Sequence, residues 1–139
     1  MAASVGEKSL QKLLATLTTV LHPETYVFVT LPPSATPPPL SEIRMIFHES
    51  EGSTLIMERE AARARGFSFE FPSRMITLDV HSSLEAVGFL AVITNKLAER
   101  GMGVNPVSAF YHDHLFVPEG REDDALEVLK AIAEEAESA

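Results

Sequence analysis

The sequence predicts an α+β fold in two halves, each an antiparallel sheet with helices packed on one face. Three observations carry this. Residues 75–139 read in the order strand, helix, strand, strand, helix. Residues 44–48 and 54–57 flank a glycine turn that pairs them antiparallel, and Pro72-Ser73 punctuates the chain between the two stretches. The halves are expected at residues 1–72 and 73–139. The chain has 139 residues, 45% hydrophobic and 22% charged, with no Cys and no Trp. A globule of that length buries roughly 68% of the surface its unfolded chain exposes, so it needs neither metal nor disulfide to hold a core.

In chain order, Ser4 and Glu7 have the spacing of a capping box, and Leu10, Leu13, Leu14, Leu17, Val20 and Leu21 recur at helical intervals. A helix is predicted over 10–21, ending at His22 because Pro23 follows. Tyr26-Val-Phe-Val-Thr-Leu31 is β-branched and aromatic and reads as a buried strand. Residues 32–39 hold five of the nine prolines and form a stiff exposed connector, with an SH3-type ligand as the alternative reading. Glu51-Gly52 suits a hairpin turn that needs a positive φ. Residues 58–65 read as a short charged helix closed by Gly66, and Phe67-Ser-Phe-Glu-Phe71 alternates as a half-buried strand does.

In the second half, strands are predicted over 75–80, 104–110 and 115–117, and helices over 84–100 and 120–137. The last helix places Ala125, Val128, Leu129, Ile132, Ala133 and Ala136 on one face, with Glu122, Asp123 and Asp124 at its positive end. A fourth strand is missing, which leaves an edge for residues 67–71, the other half or a second chain to cover. The helix over 84–100 is apolar on more than one face, so Phe89 and Ile93 need a second partner. The helix over 10–21 is favoured for this role, with the same element of a homodimer as the alternative.

Charge and motifs remove several function classes. A formal charge of −9 repels phosphate backbones and anionic lipid surfaces, so neither nucleic acid nor membrane is expected as a partner. No window approaches the ~20 apolar residues of a membrane span. The first residues lack the basic and apolar regions of a secretion signal, and the cytoplasm is the expected location. Gly101-Met-Gly103 follows a helix instead of preceding one, and Gly6-Glu-Lys-Ser9 lacks the glycine before lysine of a phosphate loop. No cofactor is expected.

The informative stretch is Val80-His-Ser-Ser-Leu-Glu85, which ends a strand and opens a helix, with Ser82 and Glu85 at capping-box spacing. The bland interpretation is a capped helix with nothing bound. Against it stands Gly88, since glycine inside a helix costs up to about 1 kcal/mol unless something must approach closely. A strand-to-helix turn also exposes unpaired amides that suit a carboxylate.

Residues 74–91, then Leu97-Ala-Glu-Arg-Gly-Met-Gly-Val-Asn105 and Phe110-Tyr-His-Asp-His-Leu-Phe-Val-Pro118, resemble the small tandem ACT-domain proteins, related to the ACT modules of CASTOR-type amino-acid sensors. The resemblance covers nearly all of the second half. Over the first it rests on Tyr26-Val-Phe-Val and Glu49-Ser-Glu-Gly-Ser-Thr54. It implies a ferredoxin-like βαββαβ plan per half and a non-enzymatic regulatory protein that binds an amino acid near the first strand-helix turn. Carried over, Ser82, Ser83, Leu84, Glu85, Ala86, Val87 and Gly88 would form that turn, with backbone amides holding the α-carboxylate and Asn105 starting the neighbouring strand. Asp79, Glu85 and Asp113 are the acids available to an α-ammonium, and the sequence does not choose among them. The chain departs from the plan in its first half, where residues 32–39 replace the usual crossover helix.

Two other function classes remain open at this level. His112 and His114 are two apart on a strand and are weak candidates for metal ligands, with His22, His48 and His81 scattered elsewhere. With Asp113 they also form a possible acid-base group, which makes a small enzyme the alternative. The third reading is a pure protein-interaction module.

Overall fold

In a computed structural model of the chain, residues 6–7 and 9–139 are described, so Ser4 of the first capping box lies outside the described residues. The chain divides into two compact units, one of Pro23–Arg74 and one formed by Met75–Ala139 with the residues up to His22.

In the Pro23–Arg74 unit, strands β1 (Thr19–Leu31), β2 (Ile43–His48), β3 (Ser53–Glu58) and β4 (Glu70–Leu78) lie in the order β2-β3-β1-β4. The predicted hairpin is present: β2 and β3 pair antiparallel, and Glu49 and Gly52 exchange backbone hydrogen bonds across the turn. Gly52 sits at φ +153, and a side chain there would run into the Leu31 carbonyl, so the position needs glycine for space as well as conformation. Val27, Val29 and Leu31 alternate onto the same face as Leu55 and Met57, and α2 (Arg59–Ala64) covers them with Ala62. Gly66 closes α2 at φ +72, donating to Arg63 O while Phe67 N donates to Ala62 O, the Schellman arrangement. Between β1 and β2 there is no α-helix: the proline-rich connector leads into one 3-10 turn, Leu40–Glu42.

Sequence reading placed a break at Pro72-Ser73, but β4 runs through both as a single strand that starts only at Glu70. Ser73 Oγ donates to Tyr26 O at 3.2 Å, and Phe28 meets Phe71 edge-on at 5.8 Å, which ties β4 to β1. Burial raises the Tyr26 phenol above the usual tyrosine value, although Arg44 donates to its hydroxyl at 2.7 Å and opposes the shift.

In the second unit the order is β1-β4-β6-β5, with β5 at Asn105–Ser108 and β6 at Asp113–Pro118. Following β4, helix α3 (Phe89–Glu99), β5, β6 and α4 (Glu122–Glu137) give β-α-β-β-α. The missing fourth strand is supplied by the first residues of β1: Asp79 N donates to Thr18 O at 2.7 Å, and His22 Nε2 lies 2.8 Å from Thr77 Oγ1. The predicted open edge is thereby closed. It is closed at the expense of the predicted helix over 10–21, for α1 covers only Leu10–Ala15. Thr16, Thr18, Thr19 and Val20 are β-branched, and the Thr16 hydroxyl folds back onto Lys12 O at 2.7 Å where the helix stops.

The three helices of this unit share one core. Leu13 and Leu17 meet Phe89, Ile93 and Leu97 of α3 and Ala125, Val128, Leu129 and Ile132 of α4 over Ile76, Leu78, Leu115 and Val117 of the sheet. The second partner required by Phe89 and Ile93 is therefore α1 of the same chain. A six-residue helix is far too short to hold itself in water, so α1 persists because its leucines are buried there. No helix among the described residues is long and apolar enough to cross a membrane. Leu13 is 1% exposed, so Leu13→Ala is expected to lower unfolding free energy by about 2–5 kcal/mol, read from the urea midpoint at unchanged slope.

Candidate functional site

The site lies wholly within the unit that contains α3, where β4 gives way to that helix. The predicted start of the helix at residue 84 is five residues early. Gly88 adopts φ +89, and the helix begins at Phe89 with no side-chain cap. A Cβ on Gly88 would meet only the Leu10 Cδ2 at 3.5 Å, an ordinary contact. Glycine is required there by the left-handed backbone and not by the close approach that the sequence suggested.

Residues 82–87 form a turn held by Ser83, whose hydroxyl accepts from Glu85 N at 3.1 Å and whose carbonyl accepts from Ala86 N at 3.0 Å. The Ser82-to-Glu85 capping box therefore does not form. Several amides that the resemblance offers to a carboxylate are engaged by the chain: Ser82 N donates to Val80 O and Ser83 N to Glu7 O. Glu7 N donates in turn to His81 O at 2.7 Å, so the N-terminal segment pairs with the turn as a short parallel bridge. Gly6, at φ +85, allows this approach, since a Cβ there would lie within 3.0 Å of backbone atoms of His81, Ser82 and Ser83.

Free donors lie one step further on. Gly88, Phe89, Leu90 and Ala91 belong to the cap and first turn of α3, whose N–H groups have no intrahelical partner, and Val92 N is the first to bond back, to Gly88 O. All four residues line a cavity of about 150 Å³ together with Ser82, Ser83, Leu84, Ala86, Ser108, Ala109 and Asp113. Asp113 opens β6 opposite Ser108 of β5 and is only 7% exposed. Ser82 Oγ donates to its Oδ2 at 3.1 Å. The cavity thus joins the positive end of a helix to a buried carboxylate.

Of the residues expected at the site, Ser82, Ser83, Leu84, Ala86, Gly88 and Asp113 are brought together. Glu85 and Val87 are on the same loop but do not line the cavity, and Val87 is 83% exposed. Asp79 is exposed and tied to Thr18, while Asn105 is at the far end of β5, opposite Phe116. Sequence reading missed Phe89, Leu90, Ala91, Ser108 and Ala109. Phe89, Leu90 and Ala91 read as the interior of a helix expected to start at residue 84, and Ser108 and Ala109 are small neutral residues with no signature of a site until strand pairing sets Ser108 opposite Asp113.

His112 precedes β6, while His114 follows Asp113 in it and so takes the opposite face of the strand. Their Nδ1 atoms lie 3.2 Å from Val80 O and 2.9 Å from Thr77 Oγ1 respectively. The two rings meet edge-on at 6.3 Å, and among the described residues no three His, Asp or Glu side chains are grouped to hold a metal ion. The acid-base group and the metal site considered from sequence are not assembled. His81 instead packs against Phe110 and Tyr111 beside the cavity, at ring distances of 6.4 and 5.4 Å.

Comparison with known families finds an ACT domain over residues 5–74 and a second over residues 70–131. The chain belongs to the ACT-domain family. It is a tandem ACT protein, and its fold is similar to several solved structures. One is a Vibrio cholerae protein of unknown function described as a possible transport protein, 38% identical, TM-score 0.77, with 91% of this chain and 97% of that one covered. An Agrobacterium tumefaciens protein is 15% identical, TM-score 0.72, with coverage of 84% and 89%. The regulatory subunit of aspartate kinase from Thermus thermophilus is 10% identical, TM-score 0.63, with coverage of 86% and 97%. The last two likenesses are of fold alone. No curated protein matches the chain.

The bridge between Glu7 and Ser82 has a direct check. Gly6→Ala forces a side chain into backbone at a left-handed φ, which is expected to cost about 1–3 kcal/mol and to speed hydrogen exchange at the Ser83 amide.

Proposed function

We propose that this tandem ACT protein is a non-enzymatic regulatory module that binds a free amino acid or closely related small carboxylate at the start of α3. The observation that carries this reading is the cavity into which the first turn of α3 and the Asp113 carboxylate both open. A carboxylate of the ligand accepts from the Gly88–Ala91 amides, favoured by the helix dipole. An ammonium group meets Asp113, the one of the three acids considered from sequence that lines the cavity. The volume of about 150 Å³ is of the order that admits a benzene-sized molecule, which suits an amino acid and is too small for a nucleotide.

Family membership and the fold shared with an aspartate kinase regulatory subunit support a regulatory role. The place of His114 on the face of β6 opposite Asp113 speaks against the acid-base enzyme considered from sequence. A ligand of about ten heavy atoms binds with roughly micromolar to millimolar affinity, which matches the sensing of metabolite pools. Exposed Leu84, Val87, Phe110 and Tyr111 beside the cavity give a partner or a second copy somewhere to read its occupancy, and the cytoplasm is the compartment where such pools are met.

The test is a thermal-shift panel of the twenty amino acids at millimolar concentration. At least one is expected to raise the melting temperature saturably, with about 2.7 kcal/mol of stabilisation at a hundredfold excess over Kd. Gly88→Val, compared with its own unliganded melting temperature, is expected to abolish the shift. An inert panel contradicts the proposal.

A further inference from the structure

The cavity also carries information about which small acid it accepts. We infer that Asp113 is its specificity-determining residue: the site demands a protonated amine beside the carboxylate and rejects the 2-oxo or 2-hydroxy acid of the same skeleton. This rests on the amino-acid reading of the cavity given above.

An ionised carboxylate accepts hydrogen bonds and cannot donate, and Asp113 is 93% buried, so whatever sits beside it must bring donors or positive charge. Ser82 Oγ satisfies Oδ2 only, and among the described residues Oδ1 has no protein partner. Among the described residues no lysine or arginine lines the cavity, so none of them brings a cation to the carboxylate inside it. A plain carboxylate ligand satisfies the helix amides but adds a second negative charge in a half-enclosed space. A zwitterion brings its own counter-charge for Asp113 and places its carboxylate on the helix. Replacing the amine by a ketone or hydroxyl sets oxygen lone pairs, or one weak donor, against Oδ1 and leaves a buried charge unpaired.

The remaining wall limits the side chain. Ala86, Ala91 and Ala109 are small, and the Ser83 and Ser108 hydroxyls supply the polar contacts. Once the amine, carboxylate and Cα of the ligand are placed in about 150 Å³, room is left for a short side chain and not for a long aliphatic or aromatic one.

The test is isothermal calorimetry on the full chain with L-alanine, L-serine, L-phenylalanine, pyruvate and L-lactate as probes. L-Alanine or L-serine is expected to bind saturably, with pyruvate, L-lactate and L-phenylalanine each weaker by on the order of 100-fold or more. Asp113→Asn is expected to weaken the amino acid by a similar factor and to bring pyruvate within about tenfold of it. Should Asp113→Asn not fold, the wild-type ratio of L-alanine to pyruvate decides alone. Pyruvate binding as tightly as L-alanine, with Gly88→Val abolishing both, overturns the amine requirement while leaving the cavity as the site. L-Phenylalanine binding as tightly as L-alanine overturns the size limit, and silence of all five probes in wild type overturns this inference. The full amino-acid panel then judges the parent reading independently.

Discussion

A helix preceded by a left-handed residue cannot be extended backwards, because at φ +89 the chain before Phe89 leaves the helical path. Gly88 therefore fixes where α3 starts, and everything at the site follows from that start. Had the helix begun at residue 84, its first-turn amides would lie at the exposed Leu84 and Glu85. Instead the four successive donors belong to residues that line the same cavity as Asp113, the first residue of β6. The dipole of an eleven-residue helix and the buried Asp113 carboxylate then act on the same small volume.

The two units differ at the corresponding corner. In the Pro23–Arg74 unit the chain leaving β1 enters the proline-rich connector and a single 3-10 turn, so no α-helix presents its amino end there. Prolines lack amide hydrogens, and five of them occupy the place where donors would be needed. Although both halves match ACT domains, the carboxylate site we propose belongs to one of them, where an α-helix follows the first strand. What the N-terminal segment contributes to that unit is support. Glu7 grips the turn through two backbone bonds, and Leu13 and Leu17 bury the outer face of α3.

Much of this fold was legible wherever local and tertiary preferences agree. The hairpin at Glu51-Gly52, the α2 stop at Gly66, the buried face of α4 and the helix-free proline connector all rest on short-range geometry that packing leaves in place. The reading failed where two local signals competed. Leu17, Val20 and Leu21 continue a helical spacing, yet Thr16, Thr18, Thr19 and Val20 are β-branched, and the fourth place beside β4 rewards an extended chain more than another helical turn. Ser82 and Glu85 mimic a cap, but Gly88 overrules them. At the candidate site the turn and Asp113 were visible in the sequence, while which of Asp79, Glu85 and Asp113 lines the cavity depends on the register that sets Asp113 opposite Ser108. Asn105 was drawn from resemblance, and the opposite end of β5 meets the cavity instead.

The central claim is that a small carboxylate docks on the first turn of α3. Amide chemical shifts of the uniformly ¹⁵N-labelled chain, followed during titration with whichever amino acid stabilises it most, test this at the level of individual donors. The account predicts saturable shifts largest at Gly88, Phe89, Leu90 and Ala91, with smaller ones at Ser108 and Asp113. Saturable shifts centred elsewhere, with residues 88–91 unmoved, would contradict it.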